Sequence, residues 1–196
     1  MGRRQKPLVR EKTLWSVKPL YVIATEGQIT EKLYFTDLFG RKNIRMPVLE
    51  TKRGQSSPDK VFERLQKYKT ENNAQNKELW LVIDRDSWPR ETLVAIQAEC
   101  QRKEINFILS NPCFEFWLLL HQAQKKAPLN KQICDAELKK MMPTYSKARY
   151  DTDYFKQNVH LAVAHGNVLN TDTPIDTVPT TSVHLLVAQL LSEDDR

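Results

Sequence analysis

Glycine and cysteine are both scarce in this 196-residue chain, and each scarcity excludes something. The five glycines, at positions 2, 27, 40, 54 and 166, make neither a P-loop nor a GxGxxG turn, so any ATP would have to be used by a partner. The three cysteines, Cys100, Cys113 and Cys134, are odd in number and never fall in CxxC spacing. No structural zinc pattern results, and a reducing cytoplasm is the simplest compartment. A GxSxG nucleophile elbow is also missing. The longest apolar run near a helix, Phe114 to Leu120, contains Glu115 and is too short to cross a bilayer. No apolar segment follows the basic first residues, so no secretory signal is expected.

What is present is an ordinary globular composition, 40% hydrophobic and 28% charged, with a mean hydropathy of -0.56. A chain of this size buries roughly two-thirds of its unfolded surface and needs no covalent staple. Its net charge of +6 is uneven. Arg3, Arg4, Lys6, Arg10 and Lys12 against Glu11 give residues 1–12 a net +4, leaving +2 for the rest. Such a leader is either a solvated tail or an arm that touches phosphate.

Strand and helix signals alternate through the first two-thirds. Leu20–Ala24 is a short continuous apolar run of the kind buried on both faces of a parallel sheet. Thr30 is expected to cap a helix over 32–39 that Gly40 stops. Pro47–Thr51 is a weaker strand, 52–57 a polar loop, and Ser57-Pro58 the N-cap and N1 of a helix with Val61, Phe62, Leu65 and Tyr68 on one stripe. Leu79–Ile83 is the clearest strand. A helix from Pro89, a strand over Ile105–Leu109 broken at Ser110-Asn111-Pro112, and a buried helix over Cys113–His121 follow. Beyond Gln122, helices are expected over 131–142, 153–164 and 181–191. The pattern predicts an α/β fold, a parallel sheet flanked by helices. It divides into a basic leader (1–17), the α/β core (18–125) and a helical C-terminal extension packed on it (126–196).

Three carboxylates are placed for chemistry. Glu26 lies just past the first apolar strand, and Asp84 and Asp86 just past the third. Open parallel sheets form their sites outside the carboxyl ends of the strands. In extended backbone, residues i and i+2 project to the same side, so Asp84 and Asp86 are expected to share a cation with Glu26. Hard oxygen ligands select Mg2+ or Mn2+. The plainer reading, turn formers and helix caps, applies to Asp84-Arg85-Asp86 taken alone.

The run Ile23-Ala24-Thr25-Glu26-Gly27-Gln28-Ile29-Thr30-Glu31-Lys32-Leu33-Tyr34-Phe35 resembles the "EGxxTExxYF" opening of the RloB-like family. Val82–Asp86 resembles its second block, Ser110–His121 its third, and Thr181–Val187 its C-terminal block. That family is similar to Toprim domains of topoisomerases, primases and OLD-type nucleases. The resemblance implies a Toprim/Rossmann-like fold, a catalytic Glu at Glu26, a DxD at Asp84 and Asp86, and Mg2+-dependent cleavage of nucleic acid. It also implies an association with restriction and phage-defence loci, often beside an ABC- or AAA-type ATPase. Ala24 departs from the family pattern, where a cysteine often stands.

Other residues in these blocks have two readings each. Glu31 complements the helix dipole or adds a metal ligand. Glu115, inside an apolar helix, either meets a base such as Arg85 or joins the metal cluster. Ser110 and Asn111 cap the next helix or contact phosphate. His121 is structural, a cap, or a general acid or base. Lys52, Arg53 and Arg85 are candidates for the nucleic-acid backbone, and Trp88 for stacking on a base, with Trp80 in the core. The expected function is therefore a metal-dependent nuclease in anti-phage defence, with Glu26, Asp84, Asp86 and Glu115 catalytic. The rivals are a non-catalytic subunit of an ATPase-containing defence complex and a nucleotidyl or phosphoryl transferase. A homo-oligomer is compatible with either.

Overall fold

A computed structural model of the chain describes residues 19–40, 44–52, 54–72, 76–124, 129–169 and 172–194. The basic leader and Arg53 lie outside the described residues.

The apolar run at the start becomes β1 (Leu20–Thr25), buried along its whole length. It is followed by α1 (Thr30–Phe39), β2 (Val48–Leu49), α2 (Pro58–Glu71), β3 (Lys77–Asp84), α3 (Arg90–Arg102), β4 (Asn106–Asn111) and α4 (Phe114–Leu119). The remainder is α5 (Lys131–Met141), α6 (Thr152–Gln157), α7 (Val159–Asn167), β5 (Thr180–Thr181) and α8 (Val183–Asp194). The strands form one sheet in the order β2-β1-β3-β4-β5. β1 pairs in parallel with β2 and β3, and β3 with β4; β5 is antiparallel to β4. This is a Rossmann-like α/β fold. The chain leaves β1 to one side for β2 and returns to the other for β3, so the connections reverse between β1 and β3.

Strand alternation divides the core into two layers. Tyr21, Ile23, Trp80, Val82 and Ile108 face a large cluster built with α1, α4, α5, α7 and α8. Val22, Ala24, Leu79, Leu81, Ile83 and Leu109 face the other side, covered by Val61, Phe62 and Leu65 of α2 and Leu93, Ile96 and Cys100 of α3. Burying each large aliphatic or aromatic side chain contributes about 1.5–3 kcal/mol. The residues after 129 thus share the apolar layer of the sheet itself.

Several local expectations change. Thr30 is the first residue of α1, not its cap: Ile29 holds that position without a side-chain bond, and the Thr30 hydroxyl donates to the Lys147 carbonyl (3.2 Å). β4 continues through Ser110 and Asn111 because Thr180-Thr181 pairs with them, a fifth strand too short to show as a pattern. The helix expected over 153–164 is two. Asp151 caps α6 through bonds from the Asp153 and Tyr154 N–H groups, and Asn158 separates α6 from α7. Its side-chain amide donates to the Tyr154 carbonyl (2.8 Å), competing with the helical ladder.

Candidate functional site: an acidic cavity at the switch point

The carboxyl ends of β1 and β3, where the connections reverse, open into a cavity of about 390 Å³. This is where doubly wound sheets bind ligands. Its lining includes Glu26, Glu31, Asp84, Asp86, Glu115, Lys131 and Lys147.

Glu26 follows β1 directly and is held from two sides. Its Oε1 accepts from the Trp88 indole N–H (2.9 Å) and its Oε2 from the Asp84 backbone N–H (3.2 Å). Burial still raises its carboxyl above the ordinary value, against these two donors. Asp84 closes β3, and its Oδ1 accepts from the Phe114 backbone N–H (2.8 Å). Its pKa stands well above the usual carboxylate range, first through burial and then through the charges of Glu31, Glu115 and Glu26, with Lys131 opposing.

Glu31, in the first turn of α1, is buried and turns back to accept from the Gly27 N–H (3.0 Å). Gly27 is needed here for space: a Cβ would stand 1.8 Å from Glu31 Oε2. Burial, with the charges of Glu115 and Glu26, pushes Glu31 up to about 7 despite its backbone hydrogen bonds. Glu115, buried in α4, pairs with Lys147 (2.6 Å). Arg85 is therefore not its partner: the guanidinium donates to the Trp88 carbonyl instead.

Asp84 and Asp86 do not diverge from a common extended strand. Asp86 sits in a tight turn with φ of 33°, its N–H on the Pro112 carbonyl (3.1 Å), so the alternation rule ends at Asp84. Asp86 is exposed at the rim and pairs with Lys131 (2.6 Å). Both aspartates nevertheless line the cavity.

Three expectations resolve as structural. Ser110 is buried, bonded to the Thr181 hydroxyl (2.8 Å), and the Asn111 amide donates to the Pro174 and Ile175 carbonyls (3.3 and 3.1 Å). Neither caps α4 nor faces the cavity. His121 is fully buried between Tyr34, Trp117 and Phe155. Its Nε2 accepts from the Tyr34 hydroxyl (3.1 Å), and Nδ1 faces the Trp117 and Leu118 carbonyls. Burial pushes it down to about 3, so it is neutral and is no cavity acid or base. Lys52 is exposed and does not line the cavity. Trp80 is core, and Trp88 is half-buried with its N–H committed to Glu26.

Sequence reasoning missed Lys131 and Lys147. A usable signal existed in Glu115: a carboxylate inside Phe114-Phe116-Trp117 demands a basic partner. Nothing local says that the partner comes from residue 147.

The donor set suits a hard divalent cation, being all carboxylate oxygen with two lysines as counter-charge. Asp84 Oδ2 takes no hydrogen bond among the described residues. No three of these side chains stand in ligating geometry as the structure has them, among the described residues. Asp86 and Glu115 are each engaged by a lysine, Lys131 and Lys147.

Fold and cavity together define a Rossmann-like α/β domain with an acidic site at its switch point. The model of the family described as RloB-like protein matches residues 21–190, and the chain belongs to the RloB-like family. No curated protein and no solved structure matches it. Among the described residues no helix is long and apolar enough to cross a membrane.

Proposed function

We propose that this chain is a divalent-metal-dependent nuclease of Toprim-like type, acting on DNA or RNA in anti-phage defence. The observation that carries the reading is the crowding of Glu26, Glu31, Asp84 and Glu115 at the switch point, where burial and mutual repulsion raise Glu26, Glu31 and Asp84. Such an arrangement costs stability without a cation and is the kind that folds tolerate for function. Glu26 and Asp84 would hold Mg2+ or Mn2+, with Asp86, Glu31 and Glu115 completing or orienting the shell. The ion supplies Lewis-acid charge for a phosphoryl oxygen and lowers the pKa of water.

The chain's own residues do the rest. The Trp88 and Asp84 N–H groups hold both oxygens of Glu26, and the Phe114 N–H holds Asp84 Oδ1, which limits the orientations these two carboxylates can take. Glu31 lines the same cavity with its Oε1 held by the Gly27 N–H, which suits it to complete or orient the shell. The family association with ATPase-bearing defence loci makes a partner ATPase part of the proposal. The same association supports a cytoplasmic site of action as part of the proposal.

The two lysine–carboxylate pairs favour one rival, a non-catalytic subunit whose acidic edge is permanently neutralised. A cleavage assay separates them. Plasmid DNA and total tRNA are incubated with Mg2+, Mn2+ or EDTA, with and without the neighbouring ATPase, using wild type, Glu26→Ala and Asp84→Ala. Metal-dependent cutting lost in both variants supports the nuclease. Intact substrates under every condition support the subunit.

A further inference from the structure

The cavity's basic residues carry a second layer of meaning. Both come from the chain after residue 129, and both reach back to acids of the core. Lys147 Nζ lies 2.6 Å from Glu115, whose side chain is 4% exposed, while the lysine side chain is 53% exposed. Lys131 Nζ lies 2.6 Å from Asp86, with both side chains about two-fifths exposed or a little less, at 41% and 36%. The Lys147 pair is thus held at its carboxylate end and open at its ammonium end, and the Lys131 pair is part-exposed at both ends.

The backbone of Lys147 is anchored by its surroundings. The Thr30 hydroxyl donates to its carbonyl (3.2 Å), and the Tyr150 hydroxyl donates to the Thr30 carbonyl (2.7 Å). The Ser146 and Arg149 backbones pair across it as a two-sided bridge (2.9 and 3.0 Å). Lys131 is the first residue of α5, where the Asn130 side chain accepts from the Ile133 N–H (2.8 Å). A fixed backbone carrying a half-exposed ammonium on a flexible four-carbon stem delivers a point charge over several ångströms.

The charge count indicates where those ammoniums go. Five carboxylates and two lysines line the cavity, a formal −3 with all groups ionised. A divalent cation among the carboxylates takes over the neutralising role that the lysines hold. A phosphodiester entering with that cation brings oxygens that need donors at the mouth, where the lysines are. We propose that Lys131 and Lys147 exchange partners, from Asp86 and Glu115 in the free protein to the phosphate oxygens of a bound nucleic-acid strand. This rests on the metal-centre reading above. It assigns the lysines as positioning residues for substrate and as competitors of the metal, so that cation and strand are admitted together.

The test measures binding rather than turnover. Mn2+ affinity is titrated calorimetrically on the full chain for wild type, Lys147→Gln, Lys131→Gln and Lys147→Arg. Labelled single-stranded DNA and RNA are then bound in Ca2+ across a salt series. The expected result is a several-fold gain in Mn2+ affinity for each Gln variant. Strand binding should weaken about tenfold, with a salt slope lower by about 0.7 per lysine removed. Lys147→Arg keeps the charge and should restore strand binding, which also shows that the fold persists. The nucleic acid that binds tighter names the substrate class. Absence of Mn2+ binding by wild type removes the metal-centre reading itself. Mn2+ binding by wild type, with unchanged Mn2+ affinity and salt slope in both Gln variants, overturns the exchange alone.

Discussion

Replacing Glu31 with Gln should stabilise the metal-free protein, and only at high pH. The Gln Oε1 can still accept from the Gly27 N–H, so the geometry survives while the charge goes. The Glu31 carboxyl moves from an ordinary 4.5 to about 7 on folding. Between those values the folded state binds more protons than the unfolded state, so stability falls as pH rises through that window. Each pH unit is worth about 1.4 kcal/mol, which sets a ceiling of about 3 kcal/mol above pH 7. Because neighbouring carboxylates relax together, about 1–2 kcal/mol is the expected gain at pH 8. Near pH 4.5 wild type and variant should agree within about 0.5 kcal/mol. Urea unfolding in EDTA at the two pH values measures this, provided the m-values match. A stability difference of the same size and sign at both pH values would refute the electrostatic account of the cavity.

Other expectations are open to equally direct measurement. His121 sits near 3 when folded and 6.5 when not, so its contribution is intact above pH 6.5 and is lost as pH falls toward 3. From pH 6.5 to 5 that is about 2 kcal/mol, and His121→Gln should flatten this part of a denaturation-versus-pH curve. Asn111→Ala leaves the buried Pro174 and Ile175 carbonyls without their donor and should cost about 1–3 kcal/mol, with faster amide exchange at Asp176 and Thr177. Phe155→Ala, emptying a site ringed by Tyr34, His121 and Tyr150, should cost about 3–5 kcal/mol by thermal melting.

Much of the frame is legible in the sequence because it rests on local pattern. The runs at 20–24 and 79–83 are apolar throughout, as strands covered on both faces read, and 105–109 is interrupted only by the exposed Asn106. The positions of Glu26 and Asp84 at strand ends follow from the same runs. What escapes is set by distant contacts. Thr180-Thr181 is a strand only because Ser110-Asn111 lies beside it, some seventy residues away in sequence. The direction of Asp86 depends on one left-handed residue, which a period-two rule does not anticipate. Glu31 reads as a helix-dipole residue until Gly27 is seen to make room for its carboxylate. The Lys147–Glu115 pair joins residues with no shared motif, so burial cost announces the need but not the partner.

The central claim is that the acidic cavity takes a divalent cation, and thermal unfolding with Mn2+ tests it most directly. A ligand that binds only the folded state adds about 2.7 kcal/mol at a hundred times its dissociation constant. The account predicts a melting temperature that climbs by several degrees with Mn2+ in wild type, with the increment lost in Asp84→Asn and Glu26→Gln. A melting temperature indifferent to Mn2+, or an equal rise in both variants, would contradict it.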